Sequence, residues 1–103
     1  MDKHSFAVDH HYTVTLREAG DKLRPANLYV HQLADAYMIA RRTDGTRSGV
    51  LFKINYEDIQ RVVKDMEVGS EKRFQLPQAL LNPKVWAERD VFNAYASGPG
   101  LGK

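Results

Sequence analysis

Two groups of side chains in this chain of 103 residues carry chemistry by their type and spacing. Near the start, Asp9, His10 and His11 follow His4, and residues two apart in a strand share a face, so imidazoles and a carboxylate could meet at one cation. Three ligands fixed on an irregular terminus are a demanding arrangement, and solvated histidines are the expectation. Further along, Arg41, Arg42 and Arg47, with Lys53 nearby, could clamp a phosphate or an acidic partner. A basic hairpin that keeps a rim soluble is the competing reading. There is no Gly-x-Ser-x-Gly, no phosphate loop, no His-Glu-x-x-His and no separated carboxylate pair in an apolar setting. The expectation is a protein that is not an enzyme and uses no cofactor.

Composition narrows the class further. Hydrophobic residues at 43% and charged residues at 27% fit one ordinary globular domain with one modest core. The absence of cysteine excludes disulfides, thiolate metal sites and a cysteine nucleophile, and it fits a reducing compartment. The opening MDKHSFAVDHH carries charges and histidines where a signal peptide needs an apolar core. No later segment approaches the roughly 18 apolar residues of a membrane span. The expectation is a soluble, cytoplasmic protein with no membrane role. Lys and Arg number 15 against 13 Asp and Glu, so charge alone does not argue for RNA or DNA.

The elements that must position these side chains read as five short strands. Tyr12, Val14 and Leu16 alternate with Thr13, Thr15 and Arg17, the period-2 signature of a half-buried strand. A turn at Ala19-Gly20-Asp21 leads into a second strand from Lys22 to Val30. Pro25 within it belongs at an edge, a bulge or a bend, because proline cannot donate to a ladder. His31 to Asp35 connects to a third strand, Ala36 to Arg42. A hairpin with the Asp44-Gly45 signal precedes a fourth, Val50 to Ile54. A polar corner, Asn55 to Asp58, precedes a last strand from Ile59 to Val63 that could continue to Met66. Ile59, Val62, Val63 and Met66 also fall at helical spacing, which leaves a helix over 56–66 open.

The last third changes character. Asn82-Pro83 is a helix start, and Lys84 to Ala96 reads as a helix stopped by Ser97-Gly98-Pro99. Its apolar arc would pack on the strands, leaving Trp86 opposite, as an interface residue for a neighbouring subunit or partner. The predicted organisation is a flexible segment over 1–11, a β-barrel over 12–70, a helical extension over 71–97 and a flexible tail over 98–103. Five strands in so few residues fit a small, sharply bent barrel. The predicted fold is therefore mainly β, a five-stranded small barrel with a C-terminal α-helix.

This order of elements, with INYEDIQRVV as a second motif and LYVHQLADAYMIARR in the place of the first, resembles the Sm-like family, including bacterial Hfq. The resemblance covers about residues 12–68. Pro25 stands where the family's bent strand usually has glycine, and Tyr56 and Glu57 stand where Hfq carries lysine and histidine. The resemblance implies a homo-oligomeric ring, closed by pairing the fourth strand of one subunit with the fifth of the next, and RNA as a ligand. Carried over by position, the RNA site would use His31, Gln32 and Asp35 from the first-motif loop and Asn55 and Tyr56 from the corner. Tyr56 would stack a base. Asp35, Glu57 and Asp58 would ring the same pore and repel phosphate, so weak RNA binding is expected, with Arg41, Arg42 and Arg47 the better phosphate contacts. The rival expectation is a protein-interaction or scaffolding barrel with no nucleic-acid role. A monomeric barrel accessory to a larger complex is a third.

Overall fold

The computed structural model describes residues 1–45, 48–76, 78–89 and 91–92. Five antiparallel strands form the fold: β1 (His10–Glu18), β2 (Lys22–Leu33), β3 (Tyr37–Arg42), β4 (Leu51–Asn55) and β5 (Ile59–Glu67). A two-residue β6 (Val91–Phe92) completes one sheet in the order β5-β1-β2-β3-β4-β6. No helix among the described residues is long and apolar enough to cross a membrane.

Alternation sets the two faces of the sheet. Tyr12, Val14 and Leu16 of β1 are buried while Thr13 and Thr15 are half-buried, and the β1–β2 register puts Leu28 and Ala26 opposite Tyr12 and Val14. The inner face therefore gathers Val14, Leu28, Val30, Met38, Ala40, Ile54 and Ile59 into one core. Burying each large side chain of this kind contributes about 1.5–3 kcal/mol. The β1–β2 turn needs Gly20 at φ 77°, a left-handed conformation that costs glycine nothing. Pro25 lies opposite Thr15 where β2 has run past the end of β3, whose ladder starts at Leu28. It occupies an edge, one of the three places its missing N–H allows. The irregularity in β2 falls instead at His31, between the Val30–Ala40 and Gln32–Ile39 pairs.

Within residues 1–11, Phe6 and Ala7 pack on the end of the core. Phe6 is buried, meets Tyr12 edge-to-face at 5.0 Å between ring centres and stacks on Tyr56 at 6.0 Å. The Ala7 amide donates to Tyr12 Oη at 2.7 Å.

Residues 59–67 form the expected last strand, and the helix left open over 56–66 does not form. Register shifts in the β1–β5 pairing make the inward residues Ile59 and Val62 three apart, opposite Leu16 and Val14, so two bulges imitate a helical repeat. Two expectations are corrected. The sheet curls around its core but does not close into a barrel. The free edge of β4 is taken by β6, with Leu51 opposite Phe92 and Phe52 opposite Val91, and β5 remains the other end of the sheet. A cleft of about 740 Å³ on the inner side is lined partly by Leu16, Arg42, Phe52, Ile54 and Val91. Finally, the expected helix over Lys84 to Ala96 is absent in its described part. Pro83–Trp86 is a single 3-10 turn capped by Asn82, followed by β6. The Trp86 carbonyl accepts from Lys53 Nζ at 2.8 Å instead of from a helical amide, and strand pairing of Val91 ends any helical path. Residues 93–103, including the expected tail, lie outside the described residues.

Candidate interaction surface

The expected RNA-contacting residues do not form one exposed site. The corner Tyr56–Asp58 is a 3-10 turn, and it does sit beside the turn after β2, because the Tyr56 amide donates to Ala36 O at 3.2 Å. The Tyr56 ring, however, is 3% exposed, and its hydroxyl donates to Ala34 O at 2.7 Å. Burial, with Asp35 and Asp2 nearby, pushes its phenol up to about 12. A ring held this way has no open face for a base. Asn55 and Asp35 are exposed, and Gln32 is half-buried. Asp35 pairs with Lys3 at 2.7 Å, and that hydrogen bond and charge hold its carboxyl below the usual range.

Alternation separates the two adjacent arginines. Arg42 turns to the inner side opposite Leu28, where it meets Glu18 at 3.7 Å and Asp44 at 3.1 Å beside the cleft. Arg41, opposite Tyr29 on the outer face, is 1% exposed, with its guanidinium 4.6 Å from the centre of the Phe74 ring. Its Nε donates to His31 Nε2 at 3.2 Å. Burial first and the Arg41 charge second push the His31 imidazole down to about 3, so it is neutral and an acceptor. Arg47 lies outside the described residues.

These contacts belong to a cover over half of the outer face. After β5 the chain turns back across β2, β3 and β4. Phe74 meets Tyr29 edge-to-face at 5.1 Å, and Tyr29 Oη donates to Asp9 Oδ1, which raises the phenol pKa through burial and the Asp9 carboxylate. Arg73 bonds Val68 O at 3.1 Å and lies 3.7 Å from Asp9. Trp86, expected at an interface, is 1% exposed against Ile39 and Leu51, with Leu76, Leu80, Leu81 and Val85 packed around. Its indole N–H donates to Leu80 O at 2.7 Å. The reason is that the turn is 3-10 and not α, so the arc that would have faced it outward does not exist.

The other half of the outer face carries no such cover among the described residues. The register aligns Met66 with His11, Lys64 with Thr13 and Arg61 with Thr15, and then Thr13 with Asn27, Thr15 with Pro25 and Arg17 with Leu23. Thr13 Oγ1 donates to Asn27 Oδ1 at 2.7 Å, and a shallow depression of about 360 Å³ lies among His11, Thr13, Asn27, Thr43, Lys64 and Met66. The carboxylates of these strands lie on the inner side or at the rim. Asp65 pairs with His10 at 2.7 Å, and Glu18 meets Arg24 at 3.4 Å and Arg42. Arg17, Arg61 and Lys64 make no ion pair among the described residues. Burial lowers the pKa of His11 at the border of the two halves. Beside this surface runs β5, whose far edge has no partner strand among the described residues, with Val63 59% and Met66 49% exposed.

Sequence reasoning missed Arg17, Arg61, Lys64 and Met66. Their alignment depends on bulges that no residue type announces. The N-terminal histidines, which could by spacing have met at a cation, are held separately. His10 is held by Asp65 and Asp9 by Tyr29, and no group of three or more His, Asp or Glu gathers for a metal among the described residues. Comparison of the chain with known protein families, with curated proteins and with solved structures gives no match in any of the three.

Proposed function

We propose that this chain is a non-catalytic protein-interaction module of small, Sm-like β architecture that takes its partner along the β5 edge and the adjoining open half of the outer face. The observation that carries this reading is the asymmetry of that face. The chain spends about twenty residues, over 68–76 and 78–89, covering β2, β3 and β4, and among the described residues nothing covers β1, the start of β2 or β5, or pairs with the far edge of β5. An edge strand is a template for another strand, and β-addition is a common mode of peptide capture. The order of the five strands and the corner before the last of them support the Sm-like element of the proposal.

A second copy of the chain is one candidate partner. A ring built by pairing β4 with the next subunit's β5 requires β6 to leave β4 first, so such a ring forms at the expense of an existing ladder. RNA is the weaker reading, because the Tyr56 ring that would stack a base is packed under Phe6.

Panning a random-peptide display library against the folded chain tests the proposal, with light scattering to measure self-association. Enrichment of extended sequences whose binding protects β5 amides from exchange is expected. Failure to enrich any peptide, together with a strict monomer at micromolar concentration, contradicts it.

A further inference from the structure

We infer that the partner segment is an extended acidic strand, carrying carboxylates at alternate positions so that they meet Arg61 and Lys64. This inference rests on the reading of β5 as a docking edge and adds the chemistry of the occupant.

Three observations converge. First, the outward side chains of β5 beside the edge are Arg61, Lys64 and Met66, aligned with successive outward positions of β1. Two residues along a strand span roughly 7 Å, so a strand added to β5 would set every second side chain against this row. Second, neither cation makes an ion pair among the described residues, and the neighbouring β1 positions Thr13 and Thr15 supply hydroxyl groups, not carboxylates. By contrast, Arg24, Arg42 and Arg73 each have a carboxylate within 4 Å. An incoming anion thus finds charge that is already exposed and not committed elsewhere. Third, the edge discriminates. Bulges at Gln60 and Val63 and the lysine on β5 are devices that discourage pairing with an arbitrary neutral strand. The same lysine and arginine favour a strand that brings carboxylates, which makes the edge selective as well as blunted. Met66, 49% exposed at the end of the row, offers an apolar contact to a residue two places beyond the second carboxylate.

A polynucleotide is the other polyanion to consider. Sequence-tolerant binding of single strands relies on aromatic platforms, and beside one half-buried ring, His11, this surface presents threonine, asparagine, proline and methionine where such rings would stand. Besides His11, its nearest aromatic neighbours are Tyr12 and Tyr29, which are buried.

The experiment uses three fluorescein-labelled peptides of equal length and β-propensity, with glutamate, threonine or lysine at alternate positions, and a uridine-rich RNA, each titrated into the full chain by anisotropy. The glutamate peptide is expected to bind roughly tenfold tighter than the threonine peptide, the combined effect of two surface ion pairs, and to weaken steeply with salt. Arg61→Glu/Lys64→Glu is expected to reverse the order, so that the lysine peptide binds best, while the melting temperature stays within a few degrees of wild type. Equal binding of all three peptides overturns the acidic-partner inference and leaves the docking edge standing. Binding by none of them overturns both. RNA binding tighter than the glutamate peptide and lost in the same double variant overturns the choice of a protein partner.

Discussion

The two halves of the outer face are built on the same sheet, yet one is finished by the chain itself and the other is left open. Over β2, β3 and β4 the outward positions are Tyr29, Ile39, Arg41 and Leu51, large groups that are all buried under Phe74, Trp86 and the leucines around it. Over β5 and β1 they are Arg61, Lys64, Thr13, Thr15 and Arg17, short or charged groups that need no cover, with the half-exposed Met66 at the end of the row. The contrast teaches what the C-terminal third is for. It serves as the second layer of a fold whose sheet is apolar on both sides over only part of its width.

If the covered half is structural, breaking it should cost far more than altering the open half. Trp86→Ala removes a fully buried indole and its bond to Leu80 O, and a loss of about 3–5 kcal/mol in urea denaturation is expected. A loss below about 1 kcal/mol would mean that the cover is dispensable.

Acid should act on the same half. His31 is neutral in the fold, its pKa pushed from 6.5 to about 3, whereas the unfolded chain protonates near 6.5. The folded value is depressed, so this contribution is fully present above about pH 6.5 and is lost as pH falls from there toward 3. The slope approaches about 1.4 kcal/mol per pH unit for one proton. His11, also lowered by burial, adds in the same direction. Stability measured from pH 7 to pH 4 should fall with this slope, and His31→Gln should flatten it. An unchanged slope in that variant would show that His31 is not the group responsible.

Smaller effects sharpen the comparison at the corner and on the open half. Tyr56→Phe deletes one hydrogen bond to Ala34 O and should cost about 1 kcal/mol without altering any ligand binding. A selective loss of RNA affinity would return the corner to function. Arg61→Glu/Lys64→Glu should change stability by less than about 0.5 kcal/mol, since both side chains are exposed and make no ion pair among the described residues.

Much of the sheet was legible because its inner face obeys simple alternation. Tyr12, Val14 and Leu16 announce β1, and Pro25 announces an edge, a bulge or a bend, of which the fold takes the edge. The bulged β5 was ambiguous for a physical reason: an extra residue at Gln60 and another at Val63 stretch a period of two into three. The cover was illegible. Leu76, Leu80, Leu81, Val85 and Trp86 have helical spacing, and only the long-range bond from Lys53 to the Trp86 carbonyl and the pairing of Val91 with Phe52 decide against a helix. The candidate site suffered likewise. Nothing in the neighbouring letters of Arg41 and Arg42 says that one stacks under Phe74 while the other turns to Glu18, and Tyr56 is removed from service by a carbonyl 22 residues away.

Amide hydrogen exchange across the chain, with and without a glutamate-bearing strand peptide at saturation, tests the central claim most directly. Protection is expected to rise over Ile59–Glu67 and to stay unchanged over Tyr56–Asp58 and over Gln78–Trp86. Protection gained at the corner or along β4 and β6, with β5 unaffected, would contradict the assignment of the open half as the docking surface.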